Sequence, residues 1–370
     1  MIYASNFFVR LIGSFRFKLI VLIIAAIAIL IFFAIPLSRF NTNDIVPKLE
    51  GGDVTDLERL QIRQFSVKAD TGLFIKNFTV FDPIRDEFVM DCVVWFEFDA
   101  SSLMPDIVEK FSFDNGSILY KSPPDVKVVG DKVFVKYDVR VSFKASLVYT
   151  QFPLNDHRVT IILTNDFVNP EEMYFQVDES GFDMSPDIKL HNWEVTDLEV
   201  ETGHTKVHLD KNDPAKQASH PKVHFTINVK KASIRRILII FIPFFTAAFF
   251  ALFSFLMSLA NTRGRFSLAI TSITALLGYR FVIERMMPEV GYFTTTDSIY
   301  TLLLVFAFFC FLFQLIITRF YFIAENDFRN GKIKAEEFNK GDLKLNLVSD
   351  ITFILLIIIF IGFNGWLLIG

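Results

Sequence analysis

Apolar residues fill 19–37 without a break, close to the roughly 20 residues that cross a bilayer as a helix. Arg10, Arg16 and Lys18 precede this run. A secretory leader also starts basic, but its apolar part is usually about 7 to 15 residues and ends at small residues. Here the run is longer and reaches Pro36 with no clear Ala-x-Ala site. Residues 1–37 therefore read as a retained signal anchor, with a cleaved leader as the alternative. Four more apolar runs follow near the other end, at 237–259, 266–286, 299–317 and 351–369.

The intervening chain alternates apolar with polar positions. From residue 60 the segments EFVMDCVVWFEFD, KVFVKYDVRVSF, HRVTIILT, NWEVTDLEV and KVHFTINVK read as strands. QIRQFSVKAD and GLFIKNFTVF read as two more. Turn residues such as Asp82-Pro83 and Asp114-Asn115-Gly116 separate them. Strands at that spacing predict an antiparallel β-sandwich over 60–234. Residues 38–59 read as a linker with a possible short helix, and 235–370 as a four-helix transmembrane domain. The fold class is thus a β + α membrane protein with an extra N-terminal transmembrane helix.

Loop charge orients the spans. With Arg10, Arg16 and Lys18 in the cytoplasm, the β-domain is extracytoplasmic. The loops carrying Arg263 and Arg265, and Arg319 to Lys344, then also face the cytoplasm. The expected location is the inner cell membrane, multi-pass.

Composition narrows the classes. Hydrophobic residues make up 52% and charged residues 21%, which excludes a disordered chain. A net charge of −4 argues against nucleic-acid binding. Two distant cysteines, Cys92 and Cys310, build neither a disulfide framework nor a cysteine zinc site. Phenylalanine occurs 45 times, a density suited to lipid-facing and helix-packing surface. The sequence has no nucleophile elbow, phosphate loop or metalloprotease helix, so an enzyme is not expected.

One span differs from the others. In 266–286, Ser267, Thr271, Thr274, Gly278, Phe281 and Arg285 recur at steps of four and three and share one helical face. All but Phe281 are small or polar. Close helix packing explains such a stripe, and so does a water-filled pore lined by several copies.

Several segments resemble, in order, those of pentameric ligand-gated ion channels, the superfamily of the Cys-loop receptors, and most of all its prokaryotic members without the loop disulfide. FPLNDHR resembles the signature turn, with Ala145 and Val159 where the cysteines would fall. VVWFEF and NWEV resemble strands of the ligand-binding domain. KKASIRRILIIFIPFF resembles the start of the first pore-domain helix, with Pro243 inside it, and GRFSLAITSITALLGYRFVIERMMPEVGYFTTTD resembles the pore helix and its linker. Two departures matter. Asn155 stands where the family has aspartate, with Asp156 beside it, and Thr274 replaces the leucine or isoleucine of the mid-pore gate, leaving Phe281 as the substitute.

The resemblance implies a homopentamer in a lipid bilayer, opened by a small molecule, a proton or a divalent ion. The selectivity candidates are Arg263, Arg265 and Glu284. The basic, acid-free inner mouth leans toward anion or weakly selective permeation. Glu284 and Arg285 cancel at the outer end. Gating contacts would come from Asp82, Asp86, Phe152, Pro153, Asn155 and Asp156, facing Arg235, Arg236, Pro288 and Tyr292. An agonist site between subunits would involve Trp95, Phe111, Phe113, Phe167 and Tyr174. The alternative function is a non-conducting receptor or scaffold with the same fold.

Four of six histidines, His204, His208, His220 and His224, fall in one hairpin. A turn centred on Pro214 would set His208 against His220 and His204 against His224, a possible zinc or proton site. Solvated histidines in another register are the alternative. No other cofactor is expected.

Overall fold

The computed structural model describes residues 12–49, 67–210, 213 and 216–369. The expected linker helix and the first expected strand, before residue 67, lie largely outside these, as does the hairpin tip at Pro214. The chain divides into two compact units, one β-rich and one helical. Thr42–Val148 and Asn155–Ser233 form the β unit; Met1–Asn41, Tyr149–Leu154 and Ile234–Gly370 form the helical unit. The six-residue segment at 149–154 thus belongs with the helices although its flanks belong to the β unit.

Eleven strands are found among the described residues of the β unit: β1 Val67–Asp82, β2 Glu87–Asp99, β3 Ser112–Phe113, β4 Gly116–Lys121, β5 Asp125–Val129, β6 Lys132–Phe143, β7 His157–Thr164, β8 Met173–Gln176, β9 Phe182–Met184, β10 Trp193–His208 and β11 Gln217–Lys231. One sheet has seven strands, with the order β4-β6-β2-β1-β8 and with β5 on β6 and β9 on β1; the other has four, in the order β10-β11-β7-β3. Strict alternation sets β2, with Phe88, Met90, Cys92, Val94, Phe96 and Phe98 buried and the odd positions turned outward. Aromatic contacts join the sheets, Phe182 of β9 meeting Phe225 of β11 at 5.1 Å between ring centroids.

The bounds of β2, β6 and β7 coincide with the alternating segments. Two expectations change. The segments expected as two strands run together as β1, which absorbs two register shifts. Pairing is also not wholly antiparallel, because β8 and β9 run parallel to β1.

The helices are α1 Phe15–Ser38, a single turn α2 Pro105–Val108 in the β unit, α3 Arg235–Phe253, α4 Thr262–Glu284, α5 Thr295–Arg329 and α6 Ala335–Ile369. Among the described residues five are long and apolar enough to cross a membrane, with a 3-10 turn extending α3 to Leu256. Both α5 and α6 continue as helix well beyond their apolar runs. Most of the expected basic loop between them is therefore helical, leaving a short connection around Gly331.

Candidate functional site

Two faces of α4 have opposite fates. Arg265, Ala269, Ser272, Leu276 and Ile283 are buried. Ser267, Thr271, Thr274, Gly278, Phe281 and Arg285 are all exposed. Arg263, one turn before Ser267, extends this face and is exposed too. Of the apolar window of α4 only 22% is buried, against 56% for α3. A Cβ added at Gly278 would meet nothing within 4 Å, so packing inside this chain does not require a glycine there. Hydroxyls and arginines gain little from hydrocarbon, and this face is therefore suited to water or to another polypeptide.

Arg265 does not belong to that face. It is 1% exposed, donates to Ser349 Oγ at 2.8 Å and lies over the Phe255 ring. The expectation that it charges a pore mouth is corrected: its position, two residues after Arg263, turns it inward toward α6. At the outer end Arg280 is shared between Glu284 and Asp297, so with Arg285 the four charges sum to zero. Glu284 is held by Arg280 at 3.0 Å, and Arg285 stays exposed.

The last turns of α4 are anchored to both neighbouring helices. Pro243 in α3 has no N–H, which frees the Ile239 carbonyl four residues earlier. The Tyr279 hydroxyl of α4 donates to that carbonyl. Arg280 binds Asp297 of α5 at 2.6 Å as well as Glu284, and lies over the Tyr300 ring. Asp297 is fixed in turn, because it forms a capping box with Thr294 at the start of α5.

The segment at 149–154 docks onto the same helix start. Thr295 N–H donates to Thr150 O at 2.8 Å and Thr296 N–H to Phe152 O at 3.2 Å; the Thr296 hydroxyl also donates to Phe152 O, at 2.9 Å. These are first-turn amides that a helix cannot satisfy internally. Tyr149 N–H donates to the Tyr292 hydroxyl at 2.8 Å. Phe152 is buried before the cis peptide to Pro153, and Pro288 is buried in the α4–α5 linker. A continuous path therefore runs from 149–154 through the N-terminus of α5 and Asp297 to Arg280 on α4. Sequence reasoning named Phe152, Pro153 and the linker from Pro288 to Thr296, Tyr292 included, and missed Thr150, Asp297, Tyr279 and Arg280. The Thr294-x-x-Asp297 spacing was the available signal.

No protein-family model matches this chain, and no curated protein matches it in sequence. The residues themselves carry the functional reading.

In the β unit the remaining candidates have local partners. Asp156 is fully buried and accepts from both Lys231 N–H, at 3.1 Å, and Lys231 Nζ, at 3.0 Å. Asn155 donates to Val148 O at 3.1 Å and meets His157 Nε2 at 3.0 Å. His157 Nδ1 lies 2.9 Å from Asp44, which also accepts from the Val148 and Arg158 amides. Burial alone would raise the Asp44 carboxyl, but the bond and charge of His157 and those two amides together hold it below its ordinary value. Asp86 accepts from the Ala145 and Ser146 amides, and Asp82 from Ile84 N–H. Arg235 and Arg236 open α3 in the helical unit.

Trp95 and Tyr174 share the outward face of the seven-stranded sheet, and Trp95 lies over Gly72, where any Cβ would overlap the indole. Phe111 and Phe113 are core residues, 3% and 4% exposed. Phe167 is 70% exposed with Lys110 over its ring.

The histidine hairpin adopts a different register from the one expected. His204 faces Pro221, His220 faces Thr205, His224 faces Glu201 and His208 faces Gln217. Paired positions sum to 425 instead of 428. That odd offset puts His204 on one face and His220 and His224 on the other. Among the described residues no group of three or more His, Cys, Asp or Glu side chains gathers as a metal site. His224 is 1% exposed, and burial, with Lys222 beside it, pushes its imidazole down to about 4 against the pull of Asp114.

Proposed function

We propose that the chain is one subunit of a homopentameric ligand-gated ion channel, with an extracytoplasmic β-sandwich, a four-helix pore domain and the pore lined by Ser267, Thr271, Thr274, Gly278 and Phe281. The observation that carries this reading is the fully exposed polar face of α4, ending in Arg263 and Arg285. Cyclic assembly buries such a face around water with no open edge, and three rings of five hydroxyls, from Ser267, Thr271 and Thr274, replace part of an ion's hydration shell. Exposed Arg263 at the inner end supports anion or weakly selective permeation, while at the outer end Arg280 and Arg285 are balanced by Glu284 and Asp297. Phe281, 71% exposed, is the one bulky group on that face and the candidate gate.

The path from 149–154 to Arg280 supports gating by displacement. Both flanks of that segment belong to the β unit, so strand movement pulls directly on carbonyls that hold the α5 N-terminus. An agonist site between subunits would draw on the outward Trp95 and Tyr174.

The test is current through a planar bilayer containing the purified protein, with a chloride gradient, a pH step and added zinc. Reversal near the chloride potential supports anion permeation. Reversal near the cation potential keeps the channel and removes the role of Arg263. A protein that is monomeric in detergent, and silent even with Phe281→Ala, would argue against the channel.

A further inference from the structure

The buried stripe of α1 consists of Lys18, Leu22, Ala25, Ile29, Phe33 and Pro36, at steps of three and four. A lysine heads this stripe instead of pointing outward. Its Nζ lies 2.5 Å from Asp350 of α6 and donates to Phe255 O at 3.2 Å, and both side chains are about nine-tenths buried. Asp350 also acts electrostatically on Arg265, whose guanidinium donates to the adjacent Ser349 and whose Nε has no hydrogen-bond partner. Two buried cations from two helices thus converge on neighbouring positions of a third, Lys18 on Asp350 and Arg265 on Ser349.

Further along α1, Phe33 stacks on Phe241 at 4.7 Å and Phe245 at 5.7 Å between centroids. Phe32 covers Gly365 of α6, where a Cβ would lie 3.0 Å from the ring. At the far end Ile35, Pro36 and Arg39 line a cavity of about 320 Å3 with Gln151, Leu154 and Thr295, the groups that form the docking turn and the α5 start.

The geometry points to α1 as a permanent fifth helix of the helical unit, locked to the base of α4 through Lys18, Asp350 and Arg265. Burial of charge in such a setting is costly and persists where partners are built for it. Removal of α1 by a signal peptidase would leave Asp350 short of one partner and strip Phe241, Phe245 and Gly365 of cover. A disposable leader has no need of a cation matched to an acid on the last helix. The placement of α1 stands on these contacts alone. Its consequence, that α1 holds the pore-helix base and restrains opening, rests on the channel reading.

The first experiment is the intact mass of the full chain extracted from membranes, together with thiol cross-linking of Phe32→Cys with Gly365→Cys, a pair in which loss of the ring makes room for the new side chain. The native Cys92 and Cys310 are buried. Retained mass and efficient cross-linking are expected; a protein lacking residues 1–37, or one that does not cross-link, would overturn the proposal.

The second experiment compares melting temperatures. Asp350→Asn leaves two buried cations without an acid, whereas Lys18→Met leaves Asp350 with Arg265, so the first should lower Tm more. The double variant should lose less than the sum of the singles. Strict additivity or the reverse order would sink the Lys18–Asp350 link. Under the channel reading, Lys18→Met should also raise basal chloride release from liposomes at least twofold; unchanged release in a conducting protein removes the restraint on opening. Silence of every variant counts against the channel reading, while mass, cross-linking and Tm still decide the place of α1.

Discussion

The helices α1 and α4 are the two least buried spans, at 17% and 22%, yet they leave different chemistry uncovered. The open face of α1 is Ile20, Ile23, Ile24, Ile27, Leu30 and Ile31, all more than half exposed. That of α4 carries a stripe of serine, threonine, glycine and arginine with Phe281, beside which Ile270, Leu277 and Val282 are about half exposed. Exposure alone therefore does not identify a surface. Its chemistry does: an aliphatic face is at rest in lipid, whereas a hydroxyl and guanidinium face calls for water or protein. On their inner faces the roles cross over, since α1 contributes Lys18 and α4 contributes Arg265 to one buried cluster.

The sharpest way to break this comparison is to exchange the two chemistries. Thr274→Leu should reduce conductance at least about tenfold by dewetting the pore, while the reverse change on α1, Ile27→Thr, should leave it within about twofold. Cysteines placed at 271 and 274 should react with water-soluble thiol reagents, and cysteines at 27 and 31 should not. Equal reactivity would erase the distinction.

The β unit offers the converse, polar groups that are covered. His224 titrates near 6.5 unfolded and about 4 folded, so the unfolded chain binds the proton first between those values. Stability should be full above pH 6.5 and fall by about 3 kcal/mol as pH approaches 4. His224→Gln should flatten that slope in chemical denaturation; an unchanged slope would show that His224 does not carry it.

A smaller effect tests the anchored side of α4. Arg280→Met removes two charged contacts and leaves Asp297 with only its capping role, at an expected cost of about 2 kcal/mol and with loss of coupling. Intact gating in that variant would break the path from 149–154. Tyr279→Phe should cost least, about 1 kcal/mol, by leaving the Ile239 carbonyl without its donor. A melting curve identical to the wild type would mean that water replaces the hydroxyl.

Much of this was legible in the chain. The bounds of β2, β6 and β7, the five apolar spans and the exposed stripe of α4 follow from periodicity, because alternation and the helical repeat are properties of neighbouring residues. The destinations of single charges were not legible. Arg263 and Arg265 look alike in sequence, and a separation of about 200° around the helix sends one outward and the other into α6. Asp156 likewise gave no local sign that Lys231, on another strand, would absorb its charge.

The sequence by itself determined the long strands β1, β2, β6, β7, β10 and β11, the spans, and which helix face is polar, whereas β3, β4, β5, β8 and β9 carry no alternation long enough to be read. Tertiary structure alone decided the hairpin register, the joining of Lys18 to Asp350, and the docking of 149–154 on the start of α5. The physical reason is range. Local pattern fixes which face a residue occupies, but partner choice depends on which distant surfaces bury one another, and one odd step of register exchanges both faces of a strand.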